Sequence, residues 1–394
     1  MGCRNLLFLL NNFLDGGTET VAITYINYIA RHTPHKVTLA IALDTYEQEV
    51  FLDRLDSSVR VVHLVSNRLL TYRRWRNHYK KKNFLIDTLD EIFLNPVRRL
   101  LLKYRIGKLA REHDVLIDFD SRHGAFLSKN WGRKVIAFFH FSLDKHLSSD
   151  RRRKRFVKKM SVYDKLVLVC NGMYDEAVNL CPEMRDKLVR IYNPVDMDAL
   201  LAKAVEPVAE TLQPLLRKRF VLAVERLEEN QKDVSSLIRA FCQLKQKQLN
   251  GGVEALYVIG EGASRPLLEA LIEELGAGDF VKLLGFVVNP QPFIRSAAFI
   301  VHGAKYEGFG LVLLEALMQG KVVVSSDCPV GPREILDNGN AGLLVPVGDV
   351  DAMANAMAGV IAHPDEAQKL ILNSREHINS FLPEASVSAL EQLF

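Results

Sequence analysis

Residues 302–327 read HGAKYEGFGLVLLEALMQGKVVVSSD, and this stretch decides the fold. An apolar helical run over 311–319 is closed by Gly320, and a β-branched run follows at once. A predicted strand, Ala297–Val301, comes just before the stretch. Strand, helix and strand in immediate succession are typical of a parallel sheet covered by helices.

Two series of short apolar runs extend this pattern along the chain. Each run is nearly continuous in Val, Ile, Leu and Phe, which predicts strands buried on both faces of a parallel sheet. The first series comprises Asn5–Leu10, Lys36–Leu43, Val59–Val65, Asp114–Phe119, Lys134–His140 and Lys165–Cys170. The second comprises Phe220–Val224, Ala255–Ile259, Val281–Leu284, Ala297–Val301, Lys321–Ser325 and Gly342–Val345. The predicted fold class is α/β, with two doubly wound, Rossmann-like domains.

A proline-containing connection separates the two series. Asn193-Pro194 ends a strand at Tyr192, and two further prolines prevent one long helix from crossing the connection. We therefore predict a first domain over residues 1–192 and a second over 193–377. Two such domains are expected to face each other across a cleft at the carboxyl ends of their strands.

Composition narrows the classes of function. The 394 residues exceed a single typical core, and the net charge of +4 is too small for a general nucleic-acid-binding surface. The five cysteines stand at least eleven positions apart, which argues against a disulfide scaffold or a CxxC site and fits a reducing cytosol. No apolar run approaches the roughly 18 residues of a spanning helix, so we expect a cytoplasmic protein, soluble or peripheral to the membrane.

Two basic runs in the first half, Arg68–Lys82 and Arg151–Lys159, contain aromatic residues. Solvated helix faces have the same composition. Clustered cations with Tyr72, Trp75 and Tyr79 also fit docking on an anionic membrane leaflet, where each cation contributes about 1 kcal/mol. RNA binding is the third interpretation.

A glycine pair follows the first predicted strand. Gly16-Gly17 precede an amphipathic helix, so backbone N–H groups at this turn suit an anion or a sugar hydroxyl. The spacing is not GxGxxG, which argues against a dehydrogenase. Glycines that only turn the chain are the structural alternative.

Glu307 and Glu315 are the strongest candidates for ligand contacts. They are eight positions apart, so Glu307 stays in a loop while Glu315 lies on a helix that begins near Gly310. Carboxylates suit the paired hydroxyls of a ribose or a hexose, and a phosphate suits the helix N-terminus between them. Such a ligand is a nucleotide sugar. The structural alternative is that one glutamate only stabilises the start of its helix and the other is exposed. The apolar neighbours of Glu315 make an unpaired carboxylate costly there.

Charged side chains follow predicted strands in both halves. Arg226 and Lys232 share a loop, where two cations can hold a diphosphate or can simply face solvent. His140 ends a strand of the first half, Asp118 lies near the end of another and Asp120 follows it, so all three are candidates at the expected cleft. A satisfied structural role is the alternative for each of these three side chains.

The chain resembles the retaining glycosyltransferases of the GT-B fold, family-4 type, over nearly its whole length. Glu307 and Glu315 match that family's E-x7-E motif, Gly260-Glu261-Gly262 its second-domain loop, and residues 327–349 its closing section. The resemblance implies that the donor sugar contacts Glu307, the ribose contacts Glu315, and the donor sugar lies beside a histidine at the strand end of His140. It also implies that a last helix, about 378–394, packs back on the first domain.

The expected site residues fall into two groups. Catalysis is assigned to Glu307, His140, Arg226 and Lys232. Binding of the nucleotide sugar is assigned to Gly16, Gly17, Arg226, Lys232, Gly262, Gly308, Phe309, Gly310, Leu311 and Glu315. The family usually has Gly before the phosphate-binding Arg, whereas this chain has Glu225, whose side chain we expect to point away from the diphosphate.

The resemblance implies transfer of a hexose or N-acetylhexosamine, with retention, from a nucleotide diphosphate sugar, with uridine diphosphate favoured. The acceptor is expected to be a glycan or glycolipid of lipopolysaccharide or envelope polysaccharide synthesis, at the inner face of the cytoplasmic membrane. No cofactor or metal is expected, because no His/Asp cluster is visible and the one DxD, Asp118-Phe119-Asp120, lies in the first domain. A nucleotide-sugar epimerase of the same fold, a non-catalytic partner subunit and a membrane-docking scaffold are the alternatives.

Overall fold

The structure is a computed structural model that describes residues 2–14, 16–46, 49, 51–71, 84–144, 147 and 149–394. The chain divides into two compact units. The first unit contains the chain up to Val169, Met173–Pro194 and Pro383–Phe394, and the second contains Cys170–Gly172 and Val195–Leu382. Within the described ranges, every helix is too short or too polar to cross a membrane.

A parallel sheet forms the core of the first unit. Its strands are β1 (Asn5–Leu10), β2 (Lys36–Leu43), β3 (Arg60–Val65), β4 (Val115–Asp118), β5 (Lys134–Phe139), β6 (Lys165–Leu168) and β7 (Leu188–Arg190). Their spatial order is β3-β2-β1-β4-β5-β6-β7, with Leu6 of β1 paired to Val37 on one side and Val115 on the other. The order reverses direction at β1, as in a doubly wound fold.

The second unit repeats the design. Its strands are β8 (Phe220–Val224), β9 (Ala255–Ile259), β10 (Val281–Gly285), β11 (Ile300–His302), β12 (Val323–Ser326) and β13 (Leu343–Val345), in the order β10-β9-β8-β11-β12-β13. All of their pairings are parallel. The predicted fold class is confirmed, and each strand of the two predicted series is observed with its ends moved by three residues or fewer.

Helices cover the sheets. In chain order the described α-helices are α1 (Gly17–His32), α2 (Phe84–Leu89), α3 (Asn95–Glu112), α4 (Asp150–Met160), α5 (Asn171–Leu180), α6 (Met197–Lys203), α7 (Val234–Gln246), α8 (Arg265–Glu274), α9 (Gln291–Ser296), α10 (Leu311–Met318), α11 (Pro332–Ile335), α12 (Val350–Ala362), α13 (Pro364–His377) and α14 (Pro383–Glu391). A π-helical turn, Asp90–Leu94, joins α2 to α3. The apolar face of α7 packs in the core of the second unit, where Leu237, Ile238 and Phe241 are fully buried.

The last helix, α14, lies in the first unit although it follows the second unit in sequence. It packs on α1, and the carboxylate of Glu391 lies 3.0 Å from Nε2 of the buried His35. Ser386 donates a hydrogen bond of 2.9 Å to the carbonyl of Tyr192. The units divide after Pro194 and after Leu382, slightly later than the limits of 192 and 377 expected from the sequence.

Candidate functional site

The loop that carries Glu307 runs from the end of β11 to the start of α10. Gly310 has φ of 98°, a left-handed conformation that favours glycine, and α10 begins at the next residue. Glu307 therefore lies in the loop and Glu315 on the helix, as the spacing predicts. The helix ends at Met318, one residue before the predicted end.

Glu307 belongs to a buried group of charged side chains, which we call the Glu307 cluster: Glu225, Lys232, His302 and Glu307. The Glu307 carboxylate pairs with the ammonium of Lys232 and lies 3.1 Å from Nε2 of His302. Burial opposes its ionisation, but Lys232 and His302 outweigh burial and lower the pKa of Glu307 to about 2. Glu307 is thus a carboxylate at neutral pH, with 8% of its surface exposed.

Lys232 and Arg226 occupy the same loop but different environments. Lys232 is buried, and its backbone forms a bridge with Ala304. Burial disfavours its charge, yet Glu225 and Glu307 together raise the pKa of Lys232, so the ammonium persists. Arg226 is exposed and donates a hydrogen bond of 3.0 Å to the side chain of Gln231. The structure brings Lys232 and Glu307 together and places the guanidinium of Arg226 at the surface.

The Glu225 side chain faces His302, and that it points away from the diphosphate stays a prediction. Its side chain is buried and accepts a hydrogen bond of 2.7 Å from the backbone N–H of Gly303. The same oxygen lies 2.8 Å from Nδ1 of His302. The physical reason is that His302, at the end of the neighbouring strand β11, offers the carboxylate a buried partner. His302 is not among the residues expected from the sequence, although it stands at the end of a predicted strand as His140 does.

Glu315 has a separate set of partners. It accepts a hydrogen bond of 2.8 Å from Gln291 at the start of α9, and Gln319 donates one of 2.6 Å to the same Gln291. Burial raises the pKa of Glu315. A carboxyl group that already accepts from an amide is suited to accept from hydroxyls as well, because its two oxygens offer about four acceptor positions.

Two glycines hold loops close to this site. Gly262 packs against the backbone of Leu227, because a Cβ at Gly262 would overlap the Leu227 carbonyl. Leu227 in turn donates a hydrogen bond of 3.0 Å to the carbonyl of Glu261. Gly331, with φ of 96°, packs against Phe309 in the same manner. The predicted Gly262 loop thus lies against the loop of Arg226, and the closing section lies against Phe309.

Gly16 and Gly17 open α1, as the sequence indicates. Gly16 is the N-cap residue, and its carbonyl accepts from the backbone and hydroxyl of Thr20, both at 3.1 Å. A Cβ at Gly16 would overlap the carboxylate of Glu19, so an acidic side chain of the protein lies over this helix start. That position favours an intramolecular anion at the helix N-terminus.

His140 follows β5 and is a half-buried, neutral imidazole. Burial lowers its pKa to about 4. Its Nε2 lies 2.8 Å from the carbonyl of Phe119, which can only accept, so Nε2 carries the proton. The ring also packs on Phe119, with 4.8 Å between the ring centroids. Nδ1 is therefore the hydrogen-bond acceptor of this imidazole.

Asp118 and Asp120 form a second buried group, the Asp118 cluster, with His123 and Tyr163. Asp118 lies 2.8 Å from Nδ1 of His123 and also accepts from the His123 backbone at 2.8 Å and the Tyr163 hydroxyl at 2.5 Å. The expectation that the chain has no His/Asp cluster is therefore wrong, since the fold brings His123 back onto the DxD. The spacing is that of a hydrogen-bonded ion pair, and the carboxylate is already occupied by protein donors.

The basic runs are described only in part. Run Arg151–Lys159 lies within α4, and most of its cations are exposed. In run Arg68–Lys82, Arg68 lies over the ring of Tyr46 at 5.0 Å, and residues 72–82 with their three aromatic side chains lie outside the described residues.

Comparisons with known proteins show similarity in part of the sequence and in the fold. Residues 210–377 match the family described as glycosyl transferases group 1. The N-acetylgalactosamine-N,N'-diacetylbacillosaminyl-diphospho-undecaprenol 4-alpha-N-acetylgalactosaminyltransferase of Campylobacter jejuni is 33% identical over 183 residues, 46% of either chain, so the match spans about half of that relative. The lipopolysaccharide 1,6-galactosyltransferase of Salmonella typhimurium is 27% identical over 288 residues, 70% of this chain and 74% of that one.

The likeness in structure extends over the whole chain. The crystal structure of Anabaena Alr3699/HepE in complex with UDP and glucose has a TM-score of 0.74 and 18% identity, over 99% of this chain and 98% of that one. At this level of identity the comparison establishes the fold. Residues 210–377 thus match the group 1 glycosyl transferases, and the chain has the GT-B fold.

Proposed function

We propose that this protein transfers a hexose or N-acetylhexosamine from a nucleotide diphosphate sugar to a glycan or glycolipid, with retention of anomeric configuration. The observation that carries the proposal is the Glu307 cluster. An ionised carboxylate and a buried ammonium stand together at the ends of β8 and β11, directly before the glycine-rich start of α10. Helix starts and buried cations are suited to phosphate groups.

Uridine diphosphate is the proposed carrier. Anabaena Alr3699/HepE binds UDP and glucose, and it shares the fold. In this chain Glu315 accepts the ribose hydroxyls, Lys232 and Arg226 bind the diphosphate, and Glu307 contacts the donor sugar. Gly308 to Leu311 offer backbone N–H groups at the start of α10.

The proposed reaction needs no covalent enzyme intermediate. The acceptor hydroxyl oxygen bonds to the anomeric carbon on the face from which the diphosphate departs, and the bond from that carbon to the phosphate oxygen breaks. The hydroxyl proton passes to the departing diphosphate. Negative charge grows on the diphosphate, so the cations and backbone N–H groups stabilise the transition state electrostatically, and the reaction is proposed to need no metal.

The acceptor is proposed to be membrane-linked and to bind the first unit, at the inner face of the cytoplasmic membrane. The cations of α4 are exposed, and the α2–α3 segment of the same unit carries an exposed apolar stripe. Its side chains are between 45% and 71% exposed: Leu89, Phe93, Val97, Leu100 and Tyr104. Exposed apolar side chains and exposed cations in one unit suit an anionic lipid surface. Two relatives are named for a diphospho-undecaprenol-linked substrate and for lipopolysaccharide.

Calorimetric titration of uridine, guanosine and adenosine diphosphates tests the donor site. We expect one nucleotide to bind the wild type and Glu315→Ala to weaken that binding at least tenfold, as expected when a charged hydrogen-bond acceptor is lost. The matched control is Glu366→Ala, an exposed glutamate on α13 of the same unit, which is expected to bind as the wild type does. Absence of binding by all three nucleotides contradicts the proposal.

Product analysis separates the remaining alternatives. A transferase consumes donor when an acceptor is present, whereas an epimerase converts the donor sugar without an acceptor.

Binding to vesicles with anionic lipid tests the membrane surface through Leu100→Asp, with Leu372→Asp on α13 as the control for an exposed leucine elsewhere. Equal vesicle binding by the two variants contradicts the role of the stripe.

A further inference from the structure

The Glu307 cluster contains a histidine between two carboxylates. His302 is fully buried, with Nδ1 2.8 Å from Glu225 and Nε2 3.1 Å from Glu307. Both distances are within the range of ion pairs, so one protonated imidazole can balance the charge of both carboxylates with its two N–H groups. A neutral ring can donate to only one of them and turns a lone pair toward the other.

The charges of the cluster favour the protonated ring. Glu225 and Glu307 bring two negative charges and Lys232 one positive charge, so a protonated His302 makes the cluster neutral. A buried group with a net charge is costly, because the low-dielectric interior cannot replace the hydration that the charge has lost. Burial and Lys232 oppose the proton, but Glu225 and Glu307 prevail and raise the pKa of His302.

We propose that Glu225 and His302 are a positioning pair, in which the protonated His302 holds Glu307 in place and balances its charge while Lys232 binds the donor diphosphate. The proposal deepens the proposed function and rests on it. It explains how Lys232 can bind the diphosphate although the Lys232 ammonium is already paired with Glu307. If Lys232 turns to a phosphate, Glu307 loses that partner and keeps His302.

Glu225 is suited to this role because its own position is fixed. Its carboxylate accepts from the backbone N–H of Gly303, the residue directly after His302. Gly303 is itself packed closely, since a Cβ there would stand 2.7 Å from the carbonyl of Asp233. Glu225, at the position where the family usually has glycine, therefore holds the His302 imidazole on its Nδ1 side, away from Glu307.

The titratable groups around His302 are few in the described part of the second unit. Glu225 follows β8, Lys232 lies before α7, Glu307 lies before α10 and Cys328 follows β12. Burial, with Glu307 next, raises the pKa of the Cys328 thiol to about 12, so this group stays neutral over the range in which His302 titrates. Changes of His302 charge thus report on the two carboxylates and Lys232.

The test combines a direct titration of the imidazole with kinetics. Nuclear magnetic resonance of the full-length protein with labelled histidine gives the His302 midpoint, assigned by loss of its signal in His302→Asn. We expect a protonated His302 at pH 7 and a midpoint lower by about one pH unit in Glu225→Gln and in Glu307→Gln. Glu391→Gln, which neutralises the partner of buried His35 in the first unit, is the matched control and leaves the His302 midpoint unchanged.

The pH dependence of kcat/KM tests the positioning role, because a purely structural role would leave that pH dependence unchanged. The alkaline limb of kcat/KM for the donor is expected to move to lower pH in Glu225→Gln. At pH 7.5, Glu225→Gln and His302→Asn are each expected to lower kcat/KM about tenfold, and the double variant no further, because the two residues act as a unit.

Each failure has a distinct meaning. A neutral His302 at pH 7 in the wild type overturns the proposal, whether or not the protein turns over a donor. So does an alkaline limb that stays in place in a folded Glu225→Gln that binds nucleotide. If the wild type turns over no donor and binds no nucleotide, the proposed function fails instead, and the positioning role fails with it.

Discussion

The substitution Asp118→Asn removes one charge from the Asp118 cluster and tests what holds the first unit together. Asp118 is completely buried and its carboxylate meets the imidazole of His123 at 2.8 Å. Burial opposes its charge, but His123 and Tyr163 prevail and lower the pKa of Asp118, while Asp118 raises the pKa of His123 against the effect of burial. The native pair is therefore a carboxylate and an imidazolium.

The size of the effect follows from these contacts. Breaking a buried ion pair from one side costs about 3–5 kcal/mol, and we expect about 3 kcal/mol because His123 can release its proton. For a unit of about 200 residues this corresponds to a melting temperature lower by roughly 6–12 °C. The matched control is Asp120→Asn in the same turn, because burial raises the pKa of Asp120 and its charge contributes less.

The assay is urea unfolding followed by tryptophan fluorescence. Both tryptophans of the chain, Trp75 and Trp131, belong to the first unit, so the signal reports on that unit. Asp118 stabilises the unit above its unfolded pKa of about 4, and this stabilisation is lost as pH falls. His123 stabilises the unit below its unfolded pKa of about 6.5, and this stabilisation is lost as pH rises through the pKa of His123 in the folded protein. A cost for Asp118→Asn no larger than that for Asp120→Asn at pH 6 would refute this reasoning.

Three further predictions concern the second unit. The pKa of Glu307 is lowered to about 2, so the ionised Glu307 stabilises the unit above about pH 4.5, and this stabilisation is lost as pH falls. The free energy of unfolding of the wild type should exceed that of Glu307→Gln by a few kcal/mol at pH 7, and denaturant titrations should show this difference shrinking toward pH 3. Gly331→Ala should lower the melting temperature and nucleotide affinity, since its φ of 96° and the Phe309 carbonyl exclude a Cβ, whereas Gly359→Ala, with open space around it, should not. Cys328 should resist alkylation at pH 8 in the native protein, while the exposed Cys3 reacts; equal rates would contradict its burial.

The strands of both sheets can be predicted from the sequence because each strand is marked by a run of apolar residues within it. Runs such as Phe220–Val224 are apolar throughout, and a strand buried on both faces requires that pattern. The positions of Glu307 and Glu315 relative to α10 also follow from local features, namely Gly310 at the helix start and the helical run after it.

The pairings between distant residues could not be predicted in the same way. Glu225 and His302 are 77 positions apart, and they meet because β8 and β11 are neighbours in the sheet. That Glu225 is buried against His302 could not be predicted, because a buried carboxylate pairs with whichever donor the fold brings to it. His123 was missed for a related reason, because a turn brings it back onto Asp118.

We propose that the site transfers a sugar from a nucleotide with retention. It is tested most directly by proton nuclear magnetic resonance of the sugar first released when the protein hydrolyses uridine diphosphate α-linked sugars. We expect the α anomer to accumulate before mutarotation and Glu307→Gln to slow its release by at least tenfold. First release of the β anomer, or equal rates for the wild type and Glu307→Gln, would contradict it.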